Sequence, residues 1–212
     1  SERTLAEQYG ISRPSVREAL RILGALGLIR SSTGSGPKSG AIVISEPSDA
    51  LSWALRMHIA TRNLPVKDVV STRLLLEGPA ARAAANAPDS AERDLALENA
   101  REHLAEMDSP DISNERFHFC DTRFHYELSR LSGNIVLDTV IDSLHMATIS
   151  YVQEAVPLLR DWAAVKQTLQ DQHRGIYEAI STRDEDAAYE RVCEHIKWFY
   201  SLSDRAREQQ EW

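Results

Sequence analysis

Cysteine is nearly absent from this chain. Cys120 and Cys193 are the only two, and they form no CxxC pair. That argues against a disulfide framework and suits a reducing compartment, so a cytoplasmic location is expected. No apolar run approaches the roughly 18–20 residues needed to cross a bilayer. The first residues are polar and lack the apolar core of a signal peptide, so no membrane partner is expected. Internal repeats and low-complexity tracts are missing too. Positive charge is in short supply: 24 Lys and Arg stand against 32 Asp and Glu, a formal net charge of −8. Taken as an average, that speaks against a nucleic-acid partner.

The average conceals an asymmetry. Through Ser45 there are six basic residues (Arg3, Arg13, Arg17, Arg21, Arg30, Lys38) and three acidic ones (Glu2, Glu7, Glu18), giving +3, while the other 18 basic and 29 acidic residues give −11. A small basic head on an acidic body predicts two domains with different partners. At 212 residues the length allows this.

Residues 1–45 read as helix, turn, helix and hairpin. The first helix, about Ser1 to Tyr9, turns Leu5 and Ala6 inward, and Gly10 can stop it in the left-handed conformation. Ile11 is expected to pack. Ser12 is a good N-cap for a second helix, about Arg13 to Ala25, with Pro14 tolerated in its first turn. Val16, Ala19, Leu20 and Leu23 share one face of it, and Arg13, Ser15, Arg17 and Arg21 the other. Gly27 ends it, and Leu28–Arg30 and Ala41–Ile44 read as two short strands around a Gly/Ser-rich loop. Helix-turn-helix modules lay their second helix in the major groove with its N-terminal residues on base edges. Arg13 and Arg17, four apart near that end, could bind guanine or phosphate. The same residues would also suit a helical hairpin with a solvated basic face.

From Glu46 onward the pattern is helical. Residues 46–64 predict a linker helix capped by Ser48, broken at Asn63–Pro65. Residues 65–212 then predict further helices: Val66 to Ala87 with an irregularity at Gly78-Pro79, one from Pro88-Asp89-Ser90 to Met107, Ile112 to Leu131, Ile135 to Ala155, Leu159 to Ser181, and Asp184 to Glu208. The fold class is therefore mainly α: an N-terminal winged helix-turn-helix, incomplete at its start, followed by an antiparallel bundle of six to seven helices.

Bundles build sites from side chains on facing helices, which makes the histidines worth tracking. Asp121 and His125 lie four apart on one helix face among Phe117, Phe124 and Leu128. His173 leads a face with Ile176, Tyr177 and Ile180, and His195 has Val192, Ile196 and Phe199 around it. Inward polar residues on three helices want a common partner, and a divalent metal would supply one. Spacing alone leaves open whether they converge or are ordinary core histidines.

Two resemblances narrow these readings. The blocks S-E-R-x-L-A, S-R-x-x-V-R-E-A-L and G-L-I-R, in that order from Ser1 to Arg30, resemble the winged helix of the GntR family of bacterial transcription regulators. The resemblance implies that Arg3, Ser12, Arg13, Ser15 and Arg17 touch operator DNA, with Thr33, Gly34 and Ser35 forming the wing tip. Against the family pattern, the usual first helix is missing and the wing is longer than the common form. The body resembles the all-helical FCD effector domain of the FadR branch. D-x-x-F-H-x-x-L-x-x-x-S-G-N appears from Asp121 to Asn134, and later blocks run from His173 to Ile180 and from Ala188 to Ile196. That likeness implies a metal held by Asp121, His125, His173 and His195, with zinc foremost among zinc, nickel, manganese and iron. His118, three before Asp121, would be a replacement or supporting residue, and Cys120 and Cys193 are expected to pack.

The segment around Arg73 is similar to the domain's R-x-x-L-E-x-x-A-A motif, which implies an arginine pointing into an effector cavity. A guanidinium matches a carboxylate bidentately, but Arg73 could equally pair with Glu77 one turn on. Asn134 could contact an effector or simply follow Gly133 at a helix end. An Asp/His3 site could also serve a metal-dependent hydrolase or oxygenase. No inward acid beside the quartet has an obvious role as base, and the basic head gives a sensor its purpose, so no enzyme activity is expected. The family likeness implies a homodimer on a palindromic operator, its affinity set by a small carboxylic acid effector.

Overall fold

Ser1 caps α1 (Glu2–Tyr9) by accepting the Thr4 amide, and Gly10 closes that helix in the left-handed region at φ +62. The Ser12 hydroxyl accepts the Ser15 amide at 3.2 Å and starts α2 (Arg13–Ala25), with Pro14 in its first turn. Strands β1 (Ile29–Ser32) and β2 (Gly40–Val43) pair antiparallel, Ile29 opposite Val43 and Ser32 opposite Gly40. In this computed structural model the described residues are 1–32, 40–44, 50–61, 63–159 and 161–208. The expected wing tip, Thr33, Gly34 and Ser35, and the expected cap Ser48 lie outside them.

The chain divides into two units, Ser1–Ala54 and Leu55–Trp212, the division falling within α3 (Ala50–Ala60). In the first unit Ala6, Val16 and Ile29 are buried. Ile11, expected to pack, is 48% exposed, because two short helices and a two-stranded ribbon do not enclose the turn between them. Ala19 is exposed as well.

The second unit comprises α4 (Val66–Ala85), α5 (Ala91–Met107), α6 (Asn114–Arg130), α7 (Ile135–Ala155), α8 (Trp162–Ser181) and α9 (Glu185–Glu208). Side chains of Ser90, Ser113, Asn134 and Asp161 cap α5 to α8 by accepting first-turn amides. A 3-10 turn at Val156–Leu158 delays the start of α8 from the expected Leu159 to Trp162. The core is built around Phe117, Phe124, Met107, Ile141, Ile176 and Ile180.

Helix α4 continues through the expected irregularity at Gly78-Pro79. Gly78 is there for close packing: a Cβ on it would sit 2.7 Å from the Tyr189 ring and 2.8 Å from Cys193 Sγ on α9. Pro79 removes one helical donor, and the carbonyl deprived of it belongs to Leu75, whose side chain is 75% exposed. Arg93, 3% exposed, donates to the carbonyls of Ala84 at 2.7 Å and Ile180 at 2.8 Å, tying the C-terminal turns of α4 and α8 to α5.

One helical stretch, Ile135–Leu158, is long and apolar enough by length and composition to cross a membrane. The expectation that no stretch comes close is corrected to that extent. In the bundle its apolar length is used to bury Ile141, Leu144, Ala147 and Tyr151.

Candidate functional site

Three helices bring the expected quartet together. Asp121 and His125 come from one face of α6, His173 from α8 and His195 from α9, and one ligand atom from each lies within 4.8 Å of all the others. Three of the four are buried: His173 is 0% exposed, while His125 and His195 are at 6%. Asp121 keeps 26% of its side chain exposed. The imidazole rings of His125, His173 and His195 stand 4.7–5.2 Å apart, centre to centre.

The hydrogen bonding inside the cluster is incomplete. His173 Nε2 lies 3.0 Å from Asp121 Oδ1, but both nitrogens of His173 and Nε2 of His125 have no hydrogen-bond partner. Buried polar atoms are rarely left so, because each forfeits its hydration without compensation. By contrast, His195 Nδ1 lies 2.9 Å from Gln172 Oε1. As the donor in that pair, Nδ1 carries the proton and Nε2 keeps its lone pair free.

The protonation states suit a cation. Burial pushes the Asp121 carboxyl up, but the His173 imidazole, with His125 and His195, outweighs it and holds the group well below the usual carboxylate range. Burial, then the neighbouring His145, holds His125 well below the ordinary imidazole value. Burial and His173 lower His195 to about 3. One carboxylate and three imidazoles make up a common donor set for zinc and related divalent ions. In a tetrahedral shell of about 2.1 Å radius the donors stand about 3.4 Å apart, so the quartet would draw in by up to about 1.4 Å around an ion. The residues present fit a divalent metal.

A cavity of about 760 Å³, its open mouth included, adjoins the quartet, and Asp121 and His195 line it together with Arg73, His118 and His145. Arg73 lines the cavity, and its Nε donates to Glu77 Oε1 at 2.6 Å. Glu77, 5% exposed, also lies 3.0 Å from His145 Nε2. Burial raises the Glu77 carboxyl, but Arg73 and then His145 dominate and hold it well below the usual range.

Asn134 is not brought to the site. It is exposed, and its Oδ1 accepts the amides of Val136 and Leu137 as the cap of α7. His118 lines the cavity but stands outside the quartet, its ring 5.6 Å from that of Trp162. Burial pushes the Cys120 thiol up to about 12, as befits a packed side chain. Sequence reasoning missed Glu77 and His145 as site residues, although with His125 they form a second cluster of candidate ligands. A signal for His145 was available, since Ile141, Leu144 and Thr148 frame it much as apolar neighbours frame the other three.

In the first unit Arg3 and Arg17 are exposed on α1 and α2. Arg3 lies 3.5 Å from Glu7, and Arg17 donates through Nε and Nη2 to Glu2. Arg13 is exposed at the start of α2. The hydroxyls of Ser12 and Ser15 lie 2.8 Å from each other.

Residues 1–38 match the model of the bacterial regulatory proteins of the gntR family, and residues 68–197 match that of the FCD domain. Among curated proteins, the HTH-type transcriptional regulator LutR of Bacillus subtilis (strain 168) is 29% identical over 200 residues, covering 92% of this chain and 86% of its own. The Glc operon transcriptional activator of Escherichia coli (strain K12) is 27% identical over 93% of this chain and 76% of its own. The putative L-lactate dehydrogenase operon regulatory protein of the same strain is 26% identical over 99% and 79%. A solved structure, Streptococcus agalactiae GntR, matches with a TM-score of 0.60 at 22% identity, covering 94% of this chain and 86% of that one, a likeness of fold. By these matches the chain belongs to the gntR family of bacterial transcription regulators, which are not enzymes, with an FCD domain as its helical body.

Proposed function

We propose that this regulator binds its operator with an affinity set by a small carboxylate, held at a divalent metal in the helical unit. One observation carries the reading: four donors from three helices converge, with buried nitrogens lacking partners, on the wall of a cavity that also presents Arg73. Asp121, His125, His173 and His195 would hold the ion, zinc foremost and nickel, manganese or iron as alternatives. When bound, the ion supplies a fixed positive charge with open coordination positions for an anion. Asp121 and His195 face the cavity, so an acid would approach from their side, and Arg73 offers it a charged hydrogen-bond donor. The L-lactate dehydrogenase operon named for one relative supports this class, lactate being a hydroxycarboxylate.

Arg3, Arg13 and Arg17, with the hydroxyls of Ser12 and Ser15, would contact the operator, and Thr33, Gly34 and Ser35 would contribute from the wing. The Ser12–Ser15 contact uses one of the two hydroxyl protons and leaves the other for phosphate, while Ser12 keeps its capping role. The regulator would act in the cytoplasm as a homodimer on a palindromic site. A ligand that favours one arrangement of the two heads then shifts operator affinity by its differential binding to the two states. The test is metal content after purification without added metal, together with melting of Asp121→Ala, His173→Ala and His195→Ala. Stoichiometric metal in the wild type and its loss in the variants are expected. A metal-free protein whose variants melt like wild type would sink the site.

A further inference from the structure

The cavity beside the quartet is layered, and its second layer identifies the kind of acid it takes, an inference that rests on the carboxylate reading above. On α4 the lining residues are Arg73, Val70 and Val66; on α7 they include His145, Ile149 and Val152; on α9, His195 and Phe199. These spacings of three, four and seven place each set along one helix face. On all three helices the ionisable residue sits at one level and mainly apolar residues follow one or two turns beyond it, with Thr148, Tyr151 and Tyr200 among them. The apolar residues lead toward the N-terminus of α4 and toward the C-termini of α7 and α9. Seven residues of helix rise about 10 Å, so the polar floor opens into an apolar shaft of about that length. Val66, Ile149, Val152 and Phe199 are only half-buried, leaving apolar surface that a ligand could cover.

We infer that the effector is a carboxylate carrying an apolar substituent, a chain of several carbons or an aryl ring, which lies along this shaft while its acid end meets Arg73 and the quartet. A bare lactate-sized acid would leave the shaft to water.

Titration calorimetry on the full metal-loaded chain with 2-hydroxy acids of increasing length tests this. The series is lactate, 2-hydroxybutyrate, 2-hydroxyhexanoate and 3-phenyllactate. Each buried methylene should tighten binding three- to fourfold, about 50-fold from lactate to 2-hydroxyhexanoate. The near-isosteric variants Val66→Thr and Val152→Thr should flatten that slope. Affinity that stays level or falls with length while lactate still binds would overturn the inference and leave the carboxylate reading standing. Binding of none of the acids would overturn both. A slope unchanged in both variants would remove the apolar chain from this shaft and overturn the assignment.

Discussion

Replacing Glu77 by Gln keeps the size of the side chain and removes its charge, and the structure sets what that costs. Glu77 is 5% exposed and stands between the Arg73 fork and His145 Nε2. Removing one member of a buried ion pair leaves the other charge without compensation and destabilises by about 3–5 kcal/mol. Arg73 is 15% exposed and lines the cavity, so its guanidinium can recover some hydration. The lower end, about 3 kcal/mol, is therefore expected for Glu77→Gln. In a unit of this size that corresponds to a melting shift of about 6–12 °C. The pH dependence gives a second handle. The folded-state pKa of Glu77 is depressed below its ordinary value of 4.5, so its contribution is present above about pH 4.5 and is lost as pH falls below that value. Urea denaturation followed by helical signal should show the gap between wild type and variant at its largest near pH 7, and narrowing below pH 4.5. A gap under 1 kcal/mol at pH 7, or one that is the same at pH 7 and pH 4, would refute the assignment of a buried charged network here.

Gln172→Ala removes the acceptor that holds His195 in its tautomer, and metal affinity measured by competition with a chelator should fall about 10- to 100-fold with the fold intact. Gly78→Ala drives a Cβ into Tyr189 and Cys193, so it should lower stability by about 1–3 kcal/mol despite alanine's better helix propensity; a melting temperature at or above wild type would contradict the packing described. Arg17→Ala should weaken operator binding by about 1–3 kcal/mol if Arg17 reads a base. Glu2→Gln releases Arg17 from an exposed pair and should tighten binding only slightly. Operator titrations at fixed salt check both.

Much of this arrangement was legible in the residues. Apolar periodicity around Asp121, His173 and His195 placed the three on helices that face one core, and motif likeness named the quartet that the fold then assembled. Boundaries were legible as well: α5 begins after Ser90 and α7 at Ile135, as expected. What failed was whatever depended on tertiary neighbours. Asn134 lies in a motif with site residues, but a helix start needed a cap and its carbonyl oxygen serves there. The Gly78-Pro79 pair suggested an interruption, whereas the glycine answers to a ring and a thiol more than a hundred residues away. Glu77 looked like an ordinary partner one turn from Arg73. Only the approach of α7, bringing His145 to its other oxygen, makes it a buried anion shared by two helices.

The buried Arg93 gives the bundle a preferred direction of loosening. Its bonds to the carbonyls of Ala84 and Ile180, reinforced by Arg183 donating to the Ala87 carbonyl at 2.6 Å, clamp one end of α4 and α8. The cavity lies along the other end of α4, from Val66 to Arg73, and Ala84 is 11 residues, or about 16 Å, beyond Arg73. Around Arg93, α4, α5 and α8 are held together, so the clamped end of α4 should be the slower of its two ends to open. Amides of α4 near the clamp should exchange with solvent more slowly than those flanking Val66. A ligand as long as the shaft could then enter by parting the free ends, without unfastening the core.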